Sequence, residues 1–141
     1  MKHLFAIALL AAVLSSACDN NSNTPTTPTT PSPVRTSPVN ETFQSNLTPQ
    51  GSVWRLVNAI QTGTMTATLS STDQPSTVVG FGIGLRNATS TACLLNKEVI
   101  TTAGSAPQLS ATVDAGNYCV KLFDTGTLTT PMAFTITLSY P

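Results

Sequence analysis

This 141-residue sequence has room for one small domain, and its charge is both sparse and balanced. Six Lys and Arg residues stand against six Asp and Glu residues, without a basic cluster. Because nucleic-acid binding requires many cations on one face, the composition excludes a nucleic-acid partner. The same balance argues against attachment through electrostatic attraction to anionic lipids.

The first residues have the pattern of an export signal. Lys2 and His3 precede an unbroken apolar run, Leu4–Leu14, which small residues follow. A helix needs about 20 residues to span a bilayer, so this run is too short to do so. It fits the apolar region of a signal peptide. We therefore predict that residues 1–17 are a signal peptide and exclude them from the fold.

The residues around Cys18 predict a lipid anchor. Leu14-Ser15-Ser16-Ala17-Cys18 resembles the lipobox of bacterial lipoproteins, whose Cys is acylated with fatty acids such as palmitate and becomes the mature N-terminus. That family prefers an aliphatic residue three positions before the Cys, where this chain has Ser15. Ordinary signal-peptidase cleavage after Ala17 is the alternative, because Ser-Ser-Ala also satisfies the small-residue rule.

Residues 18–40 contain Cys18 and a Thr/Pro-rich segment that we expect to be a disordered linker. Five of the ten prolines fall between Pro25 and Pro38, with almost no apolar residue among them, so ordering the segment would bury too little surface. As polyproline II it would reach roughly 60 Å, at about 3.1 Å per residue. Only a signal peptide precedes it, so the linker is expected to join the domain to a membrane. O-glycans on its Thr residues are an open alternative.

Residues 41–141 alternate apolar and polar side chains, which predicts β-strands with one buried face. In chain order, strands are predicted near residues 53–57, 64–69, 79–85, 109–113, 118–123 and 132–139. Turn residues separate the strands at Pro49-Gln50-Gly51, Gln61-Thr62-Gly63, Asp73–Ser76, Asp114-Ala115-Gly116 and Asp124-Thr125-Gly126. About eight short strands in such a length predict an all-β sandwich or small barrel.

The apolar members of these alternations are expected to form one modest core. They are Met65, Ala67 and Leu69, then Val79, Phe81, Ile83 and Leu85, and finally Met132, Phe134, Ile136 and Leu138. Trp54 and Tyr118 are also expected to face inward. Tyr118 follows a Gly turn, as in a tyrosine corner, where the hydroxyl fixes the neighbouring loop.

Cys93 and Cys119 are predicted to form a disulfide, because Cys18 is assigned to lipid and export leads to an oxidising compartment. A two-Cys metal site lacks partners, since the only histidine, His3, belongs to the signal peptide. Cys119 alternates with Tyr118 and is therefore expected on the outer face. There the disulfide would tie a loop at residues 89–97 across the sheet, near solvent.

Two further features have structural explanations that we prefer. Gly80-Phe81-Gly82-Ile83-Gly84 superficially resembles a phosphate loop but lacks the Lys-Ser/Thr pair and a following helix. We interpret it as a strand whose glycine face admits another backbone or a large side chain. The carboxylates that remain for a catalytic pair are Glu41, Asp73, Glu98, Asp114 and Asp124, and three of them occupy predicted turns.

The stretch Asp114–Gly126, DAGNYCVKLFDTG, resembles a strand motif of bacterial pre-peptidase C-terminal (PPC-like) domains. The opening Leu47–Trp54 and the strand Gly63–Leu69 resemble that family too, so the likeness covers most of residues 43–140. The resemblance implies a jelly-roll-like β-sandwich used as an accessory, secretion or substrate-binding module. Its calcium-binding members use acidic clusters, and this chain has too few acidic residues for those sites to be transferred.

These observations predict an exported cell-envelope lipoprotein, anchored to a membrane through Cys18, with a non-catalytic binding or accessory domain. A chain without histidine after His3 has no Ser-His-Asp or Cys-His arrangement, so we expect no enzyme activity, metal or cofactor. The expected ligand is a protein or a glycan. The alternative is a structural subunit or packing partner of an envelope assembly, without a small-molecule ligand.

Overall fold

The computed structural model describes residues 37–86 and 92–141, and the regular secondary structure of these residues is β-strand. The predicted signal peptide, Cys18 and most of the predicted linker lie outside the described residues. The strands are β1 Val39–Leu47, β2 Ser52–Ala59, β3 Gly63–Thr72, β4 Val79–Arg86, β5 Cys93–Thr101, β6 Leu109–Val113, β7 Gly116–Asp124 and β8 Met132–Tyr140. Nothing in the described ranges forms a helix long and apolar enough to cross a membrane.

The strands form two antiparallel sheets of four strands each. The first sheet has the order β1-β8-β3-β6, and the second has the order β2-β7-β4-β5. Successive strands lie in different sheets at every connection except the β4–β5 hairpin, which is the connectivity of a jelly roll. The predicted all-β, jelly-roll-like sandwich of about eight strands is confirmed.

The core lies between the two sheets and takes apolar side chains from both. The predicted inward residues that are buried there are Met65, Ala67, Leu69, Val79, Phe81, Ile83, Met132, Phe134, Ile136 and Leu138. Leu85 is an exception, because it lies next to the last residue of β4 and is 45% exposed. Period-two alternation therefore identified the buried faces of β3 and β8, and that of β4 up to Ile83.

Strands β1 and β5 were not predicted individually. In β1, exposure alternates along the strand, but the inward positions include the polar residues Glu41 and Ser45. The strand begins at Val39, two residues before the predicted start of the domain. The loop predicted at residues 89–97 is wrong from Cys93 onward, because β5 begins there and pairs with β4 around a bulge.

The expected inward orientation of Trp54 is also wrong. Strand β2 pairs with β7 so that Trp54 lies opposite Lys121, on the outer face of the second sheet. The inward residues of β2 include Val57 and a charged residue, Arg55. Arg55 is tolerated on this side because β2 is an edge strand of the second sheet. Its Nε donates to Glu41 Oε1 of β1, an edge strand of the first sheet, at 2.7 Å.

The glycines of β4 face outward and allow other parts of the chain to approach closely, as predicted. The ring of Phe123 lies over Gly80, so that a Cβ there would be 2.6 Å or less from three ring carbons. At Gly84, the backbone of Leu94 occupies the space of a side chain. The glycine pattern therefore serves close packing on the outer face of the second sheet.

Cys93 and Cys119 form the predicted disulfide, with their Cα atoms 5.8 Å apart. The bond joins β5 to β7, the two strands that flank β4. Cys119 pairs with Gly84 on the outer face, as expected. The expected position of the bridge near solvent is wrong for Cys119, which is 0% exposed, whereas Cys93 is partly exposed. The backbone of Leu94, at the start of β5, lies against Gly84 beside Cys119.

Tyr118 fixes the turn that precedes its own strand, as the tyrosine-corner pattern predicts. Its ring packs against the core, and its hydroxyl oxygen accepts a hydrogen bond from the backbone N–H of Asp114 at 3.1 Å. The side chain therefore ties the β6–β7 turn to the sandwich.

Candidate binding surfaces

A groove crosses one end of the outer face of the first sheet and has a volume of about 570 Å³. It is lined by residues 44–46 of β1, 133–135 of β8 and 71–73 at the end of β3. Ala133 pairs with Asn46 on one side, and its carbonyl accepts the N–H of Asp73 on the other at 3.1 Å. Because Ala133 has the smallest side chain of this row, it forms a floor between two taller walls. We call this feature the Ala133 groove.

The Ala133 groove is polar and almost uncharged. Its exposed walls carry the amides of Gln44 and Asn46, the hydroxyl of Ser71 and the carboxylate of Asp73, and no Lys or Arg among the described residues lines it. Gln44 Nε2 donates to Thr135 Oγ1 over 3.4 Å, which is a long hydrogen bond. The side chains of Asn46, Ser71 and Asp73 make no hydrogen bond within the described part of the chain. Most of the polar groups of the groove are therefore not engaged by other described residues.

Thr72 also borders the groove, but it pairs with the core residue Phe134, so its side chain lies on the inner face of the sheet. Its Oγ1 is buried and has no hydrogen-bond partner within the described residues. Buried hydroxyls in folded proteins are nearly always paired, because leaving one unpaired costs about 1–3 kcal/mol. This unpaired hydroxyl belongs to the inner face of the sheet and is not one of the groups that the groove offers to a ligand.

Two of the other carboxylates considered for a catalytic pair, Glu41 and Asp114, bind neighbouring side chains of the sandwich. Glu41 forms an ion pair with Arg55 and accepts a hydrogen bond from the hydroxyl of Tyr140 at 3.2 Å. Asp114 accepts a hydrogen bond from Thr62 Oγ1 at 3.0 Å. Across residues 37–86 and 92–141, no three His, Cys, Asp or Glu side chains form a group that would hold a metal ion.

Asp124 organises the turn between β7 and β8. Its Oδ2 accepts the N–H of Gln50 at 2.8 Å, and its Oδ1 accepts the N–H groups of Gly126, Thr127 and Leu128 at 2.9, 2.9 and 3.1 Å. These donors, with Gln50 first, hold the pKa of the Asp124 carboxyl below its ordinary value, because they stabilise the charged form. Asp124 therefore acts as a structural carboxylate.

The outer face of the second sheet carries an apolar patch that we call the Trp54 face. It consists of Trp54 and Leu56 of β2 with Phe123 of β7, around Lys121. Leu56 is 36% exposed, Trp54 and Phe123 are partly exposed, and the Lys121 ammonium lies 5.8 Å from the Phe123 ring centroid. An outer sheet face is ordinarily polar, so this surface departs from the pattern of the first sheet.

The site residues predicted from the sequence are three cysteines. Cys18 lies outside the described residues, and Cys93 and Cys119 are brought together in the disulfide. Sequence reasoning missed the Ala133 groove. The sequence feature that could have indicated the groove is Ala133. It is the one apolar residue among the outward-facing residues 133, 135, 137 and 139 of β8, and the others are Thr135, Thr137 and Ser139.

No protein-family model and no curated protein matches this sequence. Among solved structures, the chain is similar to the Yersinia pseudotuberculosis-derived mitogen, with 14% sequence identity and a TM-score of 0.48. The similarity covers 72% of this chain and 84% of the mitogen chain.

Proposed function

We propose that this protein is a lipid-anchored, non-catalytic binding module of the bacterial cell envelope, and that the Ala133 groove is its binding site. The groove carries the proposal, because its amide, carboxylate and hydroxyl groups are exposed on a sheet and are largely unengaged by the residues that the structure describes. A site on strands holds its groups more precisely than a site on loops.

The sequence supports the anchored location. The apolar run Leu4–Leu14, the lipobox-like residues before Cys18 and the Thr/Pro-rich linker follow one another in the order of a bacterial lipoprotein. A disulfide between Cys93 and Cys119 fits an oxidising compartment outside the cytoplasm. Replacing Cys18 by Ala should release the protein from membranes or leave it unprocessed, and an unmodified mature Cys18 in intact-mass analysis would contradict the anchor.

A second candidate function, a packing partner in an envelope assembly, is favoured by the Trp54 face. Partly exposed aromatic rings are enriched in protein interfaces, and the buried cores of these interfaces are more apolar than the rest of the surface. Ile100, which is 58% exposed, extends the apolar character of the same sheet to its β5 edge. On this hypothesis the Ala133 groove has no ligand.

One experiment separates the two candidates, because Trp54 is the only tryptophan of the sequence. The full chain is purified from membranes in a detergent without a sugar headgroup. Its melting temperature and its tryptophan emission are then measured with and without a protein-free extract of the envelope. A ligand in the Ala133 groove should raise the melting temperature without moving the emission of Trp54, which lies on the other sheet.

The packing hypothesis predicts the opposite result. The protein-free extract should then have no effect, whereas the full chain should co-purify with a protein at fixed stoichiometry and its Trp54 emission should shift to shorter wavelength. Trp54→Ser should abolish that association and leave the membrane anchor intact. An extract without effect on the melting temperature, combined with such a complex, would reject the binding-module proposal.

A further inference from the structure

We infer that the ligand of the Ala133 groove is a neutral saccharide. The inference rests on the proposed function, since it names the chemistry of the same site. It starts from the charges: the groove holds one carboxylate, Asp73, and no described cationic side chain among its lining residues. A phosphate or carboxylate ligand would lose its hydration without gaining a counter-charge, and it would be repelled by Asp73.

The hydrogen-bonding groups point to a ligand with many hydroxyls. The amides of Gln44 and Asn46 each offer donors and an acceptor, the hydroxyls of Ser71 and Thr135 offer both, and the Asp73 carboxylate accepts. A sugar hydroxyl also donates and accepts, so it can pair with each of these groups. An apolar ligand would leave them unpaired at a cost of about 1–3 kcal/mol for each buried group.

The shape of the groove suits one ring of an extended chain. Asn46 and Asp73 lie on either side of Ala133, so the walls are two strand spacings apart, or about 9.5 Å. The groove is open to solvent along the sheet, and its floor is the methyl group of Ala133. A sugar ring has a C–H face that can lie on this methyl group while its equatorial hydroxyls reach both walls.

The test uses three neutral probes, cellotetraose, mannotetraose and tetra-N-acetylchitotetraose, with the full chain in the same detergent. Titration calorimetry should detect binding of at least one probe. Ala133→Leu fills the floor of the groove and should weaken that binding at least tenfold, which corresponds to about 1.4 kcal/mol. Thr137→Leu is the matched control, because it adds an apolar side chain to the same face of β8 outside the groove, and its affinity should equal that of the parent.

The possible negative results distinguish the saccharide inference from the proposed function. If no tetrasaccharide binds but the protein-free envelope extract still raises the melting temperature, the saccharide inference is overturned and the binding module stands. Equal affinities for Ala133→Leu and Thr137→Leu would also overturn the inference, because the sugar would then sit elsewhere. Binding of inorganic phosphate that Ala133→Leu removes would show that the charge argument is wrong.

Discussion

Replacing Gly84 by Ala tests the path of the chain over strand β4. A Cβ at this position would lie 2.5 Å from the carbonyl carbon of Leu94 and 2.7 Å from the Cα of Leu95. Ordinary van der Waals contact begins at 3.4 Å and the carbonyl oxygen of Leu94 would be nearer still, so the backbone of β5 would have to move by more than about 0.9 Å. The obstructing atoms belong to the backbone, and therefore no side-chain rotation relieves the contact.

The expected cost follows from how firmly this backbone is held. Leu95 pairs with Gly84 in the β4–β5 ladder, while the neighbouring Cys93 is fixed to β7 by the disulfide. Overpacking in a well-packed site costs typically about 1–3 kcal/mol. Because the backbone here is held by both the ladder and the disulfide, we expect a cost at the upper end of that range. We expect Gly84→Ala to lower the free energy of unfolding by about 2–3 kcal/mol.

Gly116→Ala is the matched control, because the nearest atom to its added Cβ is a ring carbon of Tyr118 at an ordinary 3.7 Å. Urea unfolding followed by Trp54 fluorescence measures both variants. In a double-mutant cycle with Cys93→Ala and Cys119→Ala, the penalty of Gly84→Ala should shrink, since the start of β5 is then free to lift. Equal urea midpoints for Gly84→Ala and Gly116→Ala would refute the reasoning.

Two further predictions concern stability. Replacing Cys93 and Cys119 together by Ala should cost about 3.5 kcal/mol in the chain-entropy model for a separation of 26 residues, measured by urea unfolding, and an unchanged midpoint would contradict it. Asp124→Asn should destabilise the protein near neutral pH, because the pKa of the Asp124 carboxyl is lowered on folding. The stability that Asp124 contributes is present above the unfolded-state pKa and is lost as pH falls through the folded-state pKa. The difference between parent and variant should therefore shrink below about pH 4, and a difference independent of pH would reject the role of its charge.

The strands that were predictable from sequence are those with an apolar inner face. In β8, four apolar residues alternate with small or polar ones, so the local pattern reports the buried side. In β1 and β2 the pattern is broken by Glu41 and Arg55, which face inward only because each neutralises the other across the open edge of the sandwich. A local window contains one of these partners without the other, and for this reason Trp54 was assigned to the wrong face.

The candidate groove was less predictable than the fold. It exists because the long-range register of the first sheet places Ala133 between Asn46 and Asp73, three residues far apart in the chain. The glycines of β4, in contrast, indicated close approach from sequence alone, although the identity of the covering residue at Gly84, the backbone of Leu94, depends on the bulge in β5. The glycines therefore predicted that another part of the chain packs closely against β4, but they did not predict which residue does so.

The pairing of β1 with β8 has a consequence for the order in which the protein folds. These strands are the first and the last of the domain, and they are aligned over nine residue pairs from Val39↔Tyr140 to Leu47↔Met132. Before Met132–Tyr140 has been synthesised and is free to pair, β1 has no neighbour in the first sheet and β3 pairs only with β6. Such non-local pairing folds slowly, and unpaired strand edges attract other chains. Assembly of the first sheet must therefore wait for the final strand, and a chain truncated before it would be prone to aggregate.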